Sequence, residues 1–211
     1  MILDQLVVSP FQSNCWIFGC DETCEGVVID PGDEAERILE SIRKHGLTVK
    51  YLIHTHGHLD HVGATAALQR ETNGLTLIHE ADQIMLDNLP AQATLFGGDD
   101  PEIPTIDQYI KEGDRISFGR YVLSVLETPG HSPGGVCFKL EGSEHGVFAG
   151  DTLFQNSVGR TDLWGGSYEQ ILDSIRDRLL PLDDDTPVFP GHGPQTTIGA
   201  EKRNNPFLQT L

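Results

Sequence analysis

The 211-residue sequence predicts a mixed α and β fold that fits a four-layer αββα sandwich, and three observations carry that expectation. Strand-like and helix-like stretches alternate through the first half, strands dominate after Arg115, and a helix, a strand and a helix close the chain. Several apolar runs end at a glycine followed by a histidine or an aspartate. No repeat, low-complexity tract or charged tail interrupts the order, so 1–211 is expected to form a single domain.

Each element has a local reason. "NCWIFG" and "EGVVIDPG" read as two apolar strands around a turn. In "DEAERILESIRKHG", Ala35, Ile38, Leu39 and Ile42 keep helical spacing and Gly46 suits the stop. "KYLIHTH" is a strand, "VGATAALQRETNG" a helix with Gly74 at its end, "LTLIH" a short strand, and Glu80 to Asn88 a helix. From Leu89 to Gln108 the chain is rich in proline and glycine and is expected to be an exposed loop. "RISFG", "YVLSVLETPGH", "GGVCFKLEG" and "HGVFAGD" are strands. "SYEQILDSIRDRLLPL" is a helix with Ser167 and Gln170 as a capping box and an apolar stripe of Ile171, Leu172, Ile175 and Leu179. "TPVFPGHG" is a last strand and turn, and a short helix covers Ile198 to Asn204.

Composition excludes some functions. The net charge is −18, from 14 basic and 32 acidic residues, which disfavours nucleic acid and anionic membranes as partners. No uncharged apolar run reaches 18 residues and the start "MILDQLVVSP" has no signal-peptide pattern, so a cytoplasmic protein is the expectation. Cys15, Cys20, Cys24 and Cys137 form no CxxC pair. Cys20 and Cys24 flank "DET", where a cross-hairpin disulfide is one option and a reduced pair the expected one; no cysteine is assigned to a metal.

The chemistry concentrates in "IHTHGHLDHVG", with four histidines and an aspartate between His54 and His61. Histidine and carboxylate together are ligands for zinc and neighbouring metals. Three further apolar strands end in donors: "YVLSVLETPGH" at His131, "GVFAGD" at Asp151 and "TPVFPGH" at His192. Gly57, Gly130, Gly150 and Gly191 stand beside these donors, where sharp turns or close backbone approach are needed. If the strand ends share one rim, the donors converge.

"THGHLDH" followed by "TPGHSPGG", "AGDTLF" and "PGHGP" resembles the metallo-β-lactamase superfamily, and within it the glyoxalase II-like hydrolases in a short bacterial-type form. The resemblance spans nearly the whole chain. It implies the αββα fold and a two-metal site. By position it implies His56, His58 and His131 around one ion, Asp60, His61 and His192 around the other, and Asp151 bridging them. The ions are expected to be divalent, with zinc first and iron or manganese suited to the same donors. His54 is expected to end the strand, in reach of a ligand at most; His45, His79 and His145 are read as ordinary structure or surface.

Two ions of that kind share a hydroxide as nucleophile, so no serine nucleophile is needed, and no GxSxG is present. Asp60 and Asp151 are expected to take part in catalysis, and Arg160, in "GRTD", to touch substrate. The expected substrate is a small-molecule thioester such as S-D-lactoylglutathione. The chain ends at "NPFLQTL", short of the C-terminal helical region of full-length glyoxalase II, so glutathione recognition is expected to be weaker. The "GRTD" stretch is also similar to that of persulfide dioxygenases in the same superfamily, which use a single iron. "PGHGP" and its His192 favour the hydrolase. A non-catalytic metal-binding module is the third reading, disfavoured by the intact donor set.

Overall fold

The computed structural model describes residues 1–96, 101–142 and 146–209. The first sheet contains β1 (Ile2–Val8), β2 (Ser13–Gly19), β3 (Glu25–Ile29), β4 (Thr48–Ile53), β5 (Leu75–His79) and β6 (Gln108–Ile110), paired in that order. β1 to β3 pair antiparallel, whereas β3 to β6 pair parallel. Parallel neighbours require crossover connections. These are α1 (Ala35–Lys44), then α2 (Leu59–Val62) with α3 (Thr65–Thr72), then α4 (Gln83–Asp87) with α5 (Leu89–Phe96).

The second half provides β7 (Arg115–Phe118), β8 (Tyr121–Glu127), β9 (Val136–Leu140) and β10 (Gly146–Gly150). A short ribbon of β11 (Leu153–Phe154) and β12 (Ser157–Val158) follows, then α6 (Tyr168–Ser174), β13 (Pro187–Pro190), β14 (Thr196–Thr197) and α7 (Ile198–Asn204). The second sheet has the order β14-β13-β10-β9-β8-β7, and β10 and β13 are its parallel pair.

The two sheets face each other. Trp16 and Phe18 of β2, Ile53 of β4 and Leu77 of β5 meet Phe118, Phe138, Phe148 and Phe189 from the other sheet. Ring centroids of Phe18 and Phe118 lie 5.1 Å apart, nearly perpendicular, and Trp16 and Phe189 lie 5.2 Å apart. Successive strand side chains point to opposite faces, so Cys15 and Ile17 of β2 join Val28 and Leu52 beneath Ile38, Leu39 and Ile42 of α1 and Leu68 of α3. The outer face of the second sheet, with Val147, Ala149 and Val188, packs on Ile171, Ile175, Leu179 and Ile198. Helices, sheet, sheet and helices therefore stack as the four layers expected. Every residue of β2 is buried, which explains its uninterrupted "SNCWIFG".

Several local expectations change. Leu89–Phe96 is helix α5, not exposed loop: Leu89 and Ala93, one helical turn apart, are fully buried. Pro90 sits in the first turn, where a missing N–H removes no helical bond. Part of "LFGGDDPEIPTID" lies outside the described residues, as does His145. At the end of α3 the left-handed position belongs to Asn73 (φ 54°), not Gly74. The 80–88 segment divides into a 3-10 turn over Glu80–Asp82 and then α4. Ser167 Oγ accepts from Gln170 N as expected of the cap, but the helix loosens into a π-helical turn over Ile175–Leu179. All four cysteines are free thiols.

Candidate metal centre

Carboxyl ends of strands from both sheets meet at one rim. β4 stops at Ile53, and the chain from His54 to His58 is irregular, with a bend at Thr55 and an extended His58, before α2 starts. That change of backbone separates two kinds of donor. His56 and His58 are two residues apart on the stretch before the helix, whereas Asp60 and His61 stand on the single turn of α2. From the second sheet, the turn after β8 delivers His131, the end of β10 delivers Asp151, and the turn after β13 delivers His192.

Ligand atoms of His56, His58 and His131 lie within 4.8 Å of one another, and so do those of Asp60, His61 and His192; these are the two donor sets that border the cavity. A third such group, Asp30, His56 and His61, is fully buried behind them. Asp151 reaches both: Oδ1 is 3.5 Å from His61 Nε2, and Oδ2 is 3.5 Å from His131 Nε2 and 3.5 Å from His192 Nε2. The structure brings all seven sequence-predicted donors to this one rim. Buried polar atoms ordinarily have partners, yet His56 Nε2 and Asp151 Oδ1 are buried without one. His56 belongs to the first set, and Asp151 stands between the two. The residues present therefore fit a pair of divalent cations, since imidazole and carboxylate suit zinc, iron and manganese alike.

Neighbouring groups fix which nitrogen each ring presents. His131 Nδ1 donates to the Arg160 carbonyl at 2.7 Å, leaving Nε2 toward Asp151. His61 Nδ1 faces Asp30 Oδ2 at 3.2 Å, leaving Nε2 toward His192, 3.2 Å away. Asp30 is itself held by the Thr55 N–H at 2.7 Å and Thr55 Oγ1 at 2.6 Å. Carboxylates and carbonyls behind histidines fix tautomer and orientation in metal sites. Asp82, fully buried, spans two loops: Gly57 N and Ser132 Oγ donate to its Oδ2, and Gly134 N to its Oδ1.

The His192 turn is pinned by the other sheet. Asn14 Nδ2 donates to the carbonyls of Pro190 and Gly193, each at 2.9 Å, and Trp16 Nε1 to Pro190 O at 3.1 Å. Two glycines are required at the rim. Gly150 has φ 47°, and a Cβ there would collide with Thr55. At Gly191 a Cβ would overlap Asp151 Oδ1 and press on His61. Asp30, Thr55, Asp82 and Asn14 were not singled out by sequence reasoning. The weak signals were an aspartate closing "VVIDPG" and a threonine inside the histidine string.

Burial and charge oppose each other across the site. Burial holds His56 well below the usual imidazole range and His58 down to about 3, so both rings are neutral, as ligands must be. Burial presses His61 the same way, but Asp60, Asp151 and Asp30 outweigh it and push its value up to about 10. Asp60 is raised by burial and lowered more by His61 and His192, so it stays ionised. His54 is buried and lowered by burial to about 4; its Nε2 is 3.4 Å from Thr65 Oγ1, outside both donor sets. His45 pairs with Asp4, and His79 caps the 3-10 turn and contacts Glu127 at 3.1 Å.

A cavity of about 370 Å³ opens over the donors, lined by Asp60, His131, Asp151 and His192 with Phe11, Phe154 and Arg160. The Arg160 guanidinium pairs with Asp162 at 2.7 and 2.9 Å, while its backbone carbonyl holds His131.

Comparison with known proteins shows the family and the fold. The family model for the metallo-beta-lactamase superfamily matches residues 8–192. The chain is 41% identical to hydroxyacylglutathione hydrolase GloC of Haemophilus influenzae, over 100% of this chain and 99% of that protein. Among solved structures, the BLEG-1 B3 metallo-beta-lactamase superposes with a TM-score of 0.92 at 36% identity, covering 99% of this chain and 100% of that one. TTHA1623, solved in a di-iron-bound form, superposes with a TM-score of 0.87 at 38% identity, covering 97% and 100%.

Proposed function

The chain belongs to the metallo-beta-lactamase superfamily, and from that premise we propose that it is a dinuclear metal-dependent hydrolase of thioesters, S-D-lactoylglutathione among them. The observation that carries the reading is Asp151, whose two oxygens reach into both histidine groups at one cavity. His56, His58 and His131 would hold one divalent ion and Asp60, His61 and His192 the other. Bound there, the ions would supply Lewis acidity toward a carbonyl and bring the pKa of water toward neutral.

The chain's own residues do the rest. Asp30 and the Arg160 carbonyl keep the rings of His61 and His131 turned so that Nε2 faces the cavity. Asp60, ionised and one-fifth exposed, places Oδ2 at 3.2 Å from His192 Nε2, where it can take a proton during hydrolysis. Phe11 and Phe154 form apolar walls that limit water around the scissile bond. The net reaction adds water across the acyl–sulfur bond and yields a carboxylate, a thiol and a proton. The similarity to GloC supports the thioester class, because a thiolate leaves readily from an electrophilic carbonyl.

Free-thiol release from S-D-lactoylglutathione, measured alongside oxygen uptake with glutathione persulfide, tests the reading. Thiol release without oxygen consumption is expected. Oxygen uptake in iron-loaded protein with no thiol release would overturn it in favour of the dioxygenase.

A further inference from the structure

Beside the donors lies a second cavity, of about 460 Å³, that shares His58, Gln92 and Leu163 with the first. Its walls are Met85 of α4, Ala91 and Leu95 of α5, and Leu163 and Trp164 from the segment after Arg160. Among the described residues that line it there is no Asp, Glu, Lys or Arg. Of the three polar side chains on its wall, His58 belongs to the first donor set, and Gln92 and Asn88 make hydrogen bonds within the fold. Gln92 Oε1 accepts from Leu59 N at 2.9 Å and its Nε2 donates to Met85 O at 2.9 Å. Asn88 Nδ2 donates to Ile84 O at 2.7 Å. The surface offered to a ligand is therefore apolar, in contrast to the charged cavity over Asp60, Asp151 and Arg160.

Leu95 and Trp164 are 72% and 60% exposed, and they sit together at this cavity. Single exposed apolar residues are ordinary, but a contiguous apolar patch around a concavity marks a binding site. The volume lies in the range of small-molecule pockets, and the boundary residue, His58, belongs to the first donor set.

We propose that this cavity is a specificity subsite that receives an uncharged, apolar substituent of the substrate, so that the enzyme favours thioesters carrying an alkyl or aryl group next to the scissile bond. The proposal rests on the thioester-hydrolase reading above. Each methylene moved from water into such a wall contributes about fourfold to binding. The described lining offers a charged glutathione backbone no charged partner, while an apolar acyl or thiol portion meets Met85, Ala91, Leu95, Leu163 and Trp164.

Two thioester series separate the substituent's position. One varies the acyl group from acetyl to hexanoyl on N-acetylcysteamine; the other keeps acetyl and varies the thiol from ethyl to hexyl. With metal-loaded protein, kcat/KM is expected to rise about fourfold per methylene in one series. Ala91→Trp, which fills the cavity from the exposed side of α5, is expected to flatten that rise. A flat profile in both series, or a gradient that survives Ala91→Trp, would overturn the proposal. A readout independent of hydrolysis uses Trp164, one of two tryptophans; the other, Trp16, is buried between the sheets. The amide analogues of the hexanoyl and S-hexyl compounds are titrated against tryptophan fluorescence in the wild type and Trp164→Phe. A saturable change with one of them, lost in Trp164→Phe and absent with the acetyl amide, supports the subsite even if no thioester is cleaved. No change with either hexyl compound would overturn it.

Discussion

Ser132 Oγ donates to Asp82 Oδ2 at 2.7 Å, and the same oxygen accepts from Gly57 N at 2.9 Å. One buried carboxylate thus ties the loop carrying His56 and His58 to the loop carrying His131. Burial raises the Asp82 value even though three donors act to lower it.

Asp82→Ala is expected to leave three buried donors without their acceptor. Such losses cost about 1–3 kcal/mol, and loosened support of a ligand costs ~10–100-fold in metal affinity. Thermal denaturation and metal titration of the variant check both. Unchanged melting together with unchanged affinity would remove Asp82 from the account.

Asp30→Asn is expected to preserve shape and weaken the metal site. The side chain is 1% exposed and faces His61 Nδ1. A neutral amide is a weaker acceptor for His61 Nδ1–H and makes Nε2 a weaker donor, so metal affinity should fall ~10–100-fold with far-ultraviolet circular dichroism unaltered. Equal affinity in the two proteins would contradict the role given to Asp30.

Asp151→Ala is expected to damage activity far more than His54→Ala. Asp151 stands 3.5 Å from three ring nitrogens in two donor sets, whereas His54 lies outside both. Steady-state thiol release and metal content, compared between the two folded variants, decide the point. Equal losses would refute the bridging role.

Phe18→Ala is expected to cost about 3–5 kcal/mol, because Phe18 fills the space between the sheets against Phe118, Tyr121 and Phe148. Urea denaturation measures it. A loss below 1 kcal/mol would mean that the inter-sheet core re-closes without this ring.

His131, Asp151 and His192 were legible because each ends an apolar run beside a glycine, and His56, His58, Asp60 and His61 because they are packed into one short string. Their partners were not. Asp30 precedes Pro31 and Gly32 and reads locally as a turn; it acquires its role only when β3 lies parallel to β4 and brings Thr55 and His61 within reach. Asp82 looks like one more acid in "HEADQ" until Gly57, Ser132 and Gly134 close around it. Asn14 and Trp16 hold the His192 turn across some 175 residues of chain, a pairing with no local signal. β1 went unread because its residues are only partly buried and alternate weakly, and its register follows from β2. α5 was hidden by Pro90 and by the glycines that follow it.

The central claim is that His56, His58 and His131 hold one ion, Asp60, His61 and His192 a second, and Asp151 both. Elemental analysis of the purified protein after saturation with zinc, iron or manganese in turn and removal of excess metal tests it most directly. About two ions per chain are expected for at least one of these metals, falling to about one in His192→Ala. A reproducible stoichiometry near one in the wild type, unchanged by His192→Ala, would contradict the dinuclear centre.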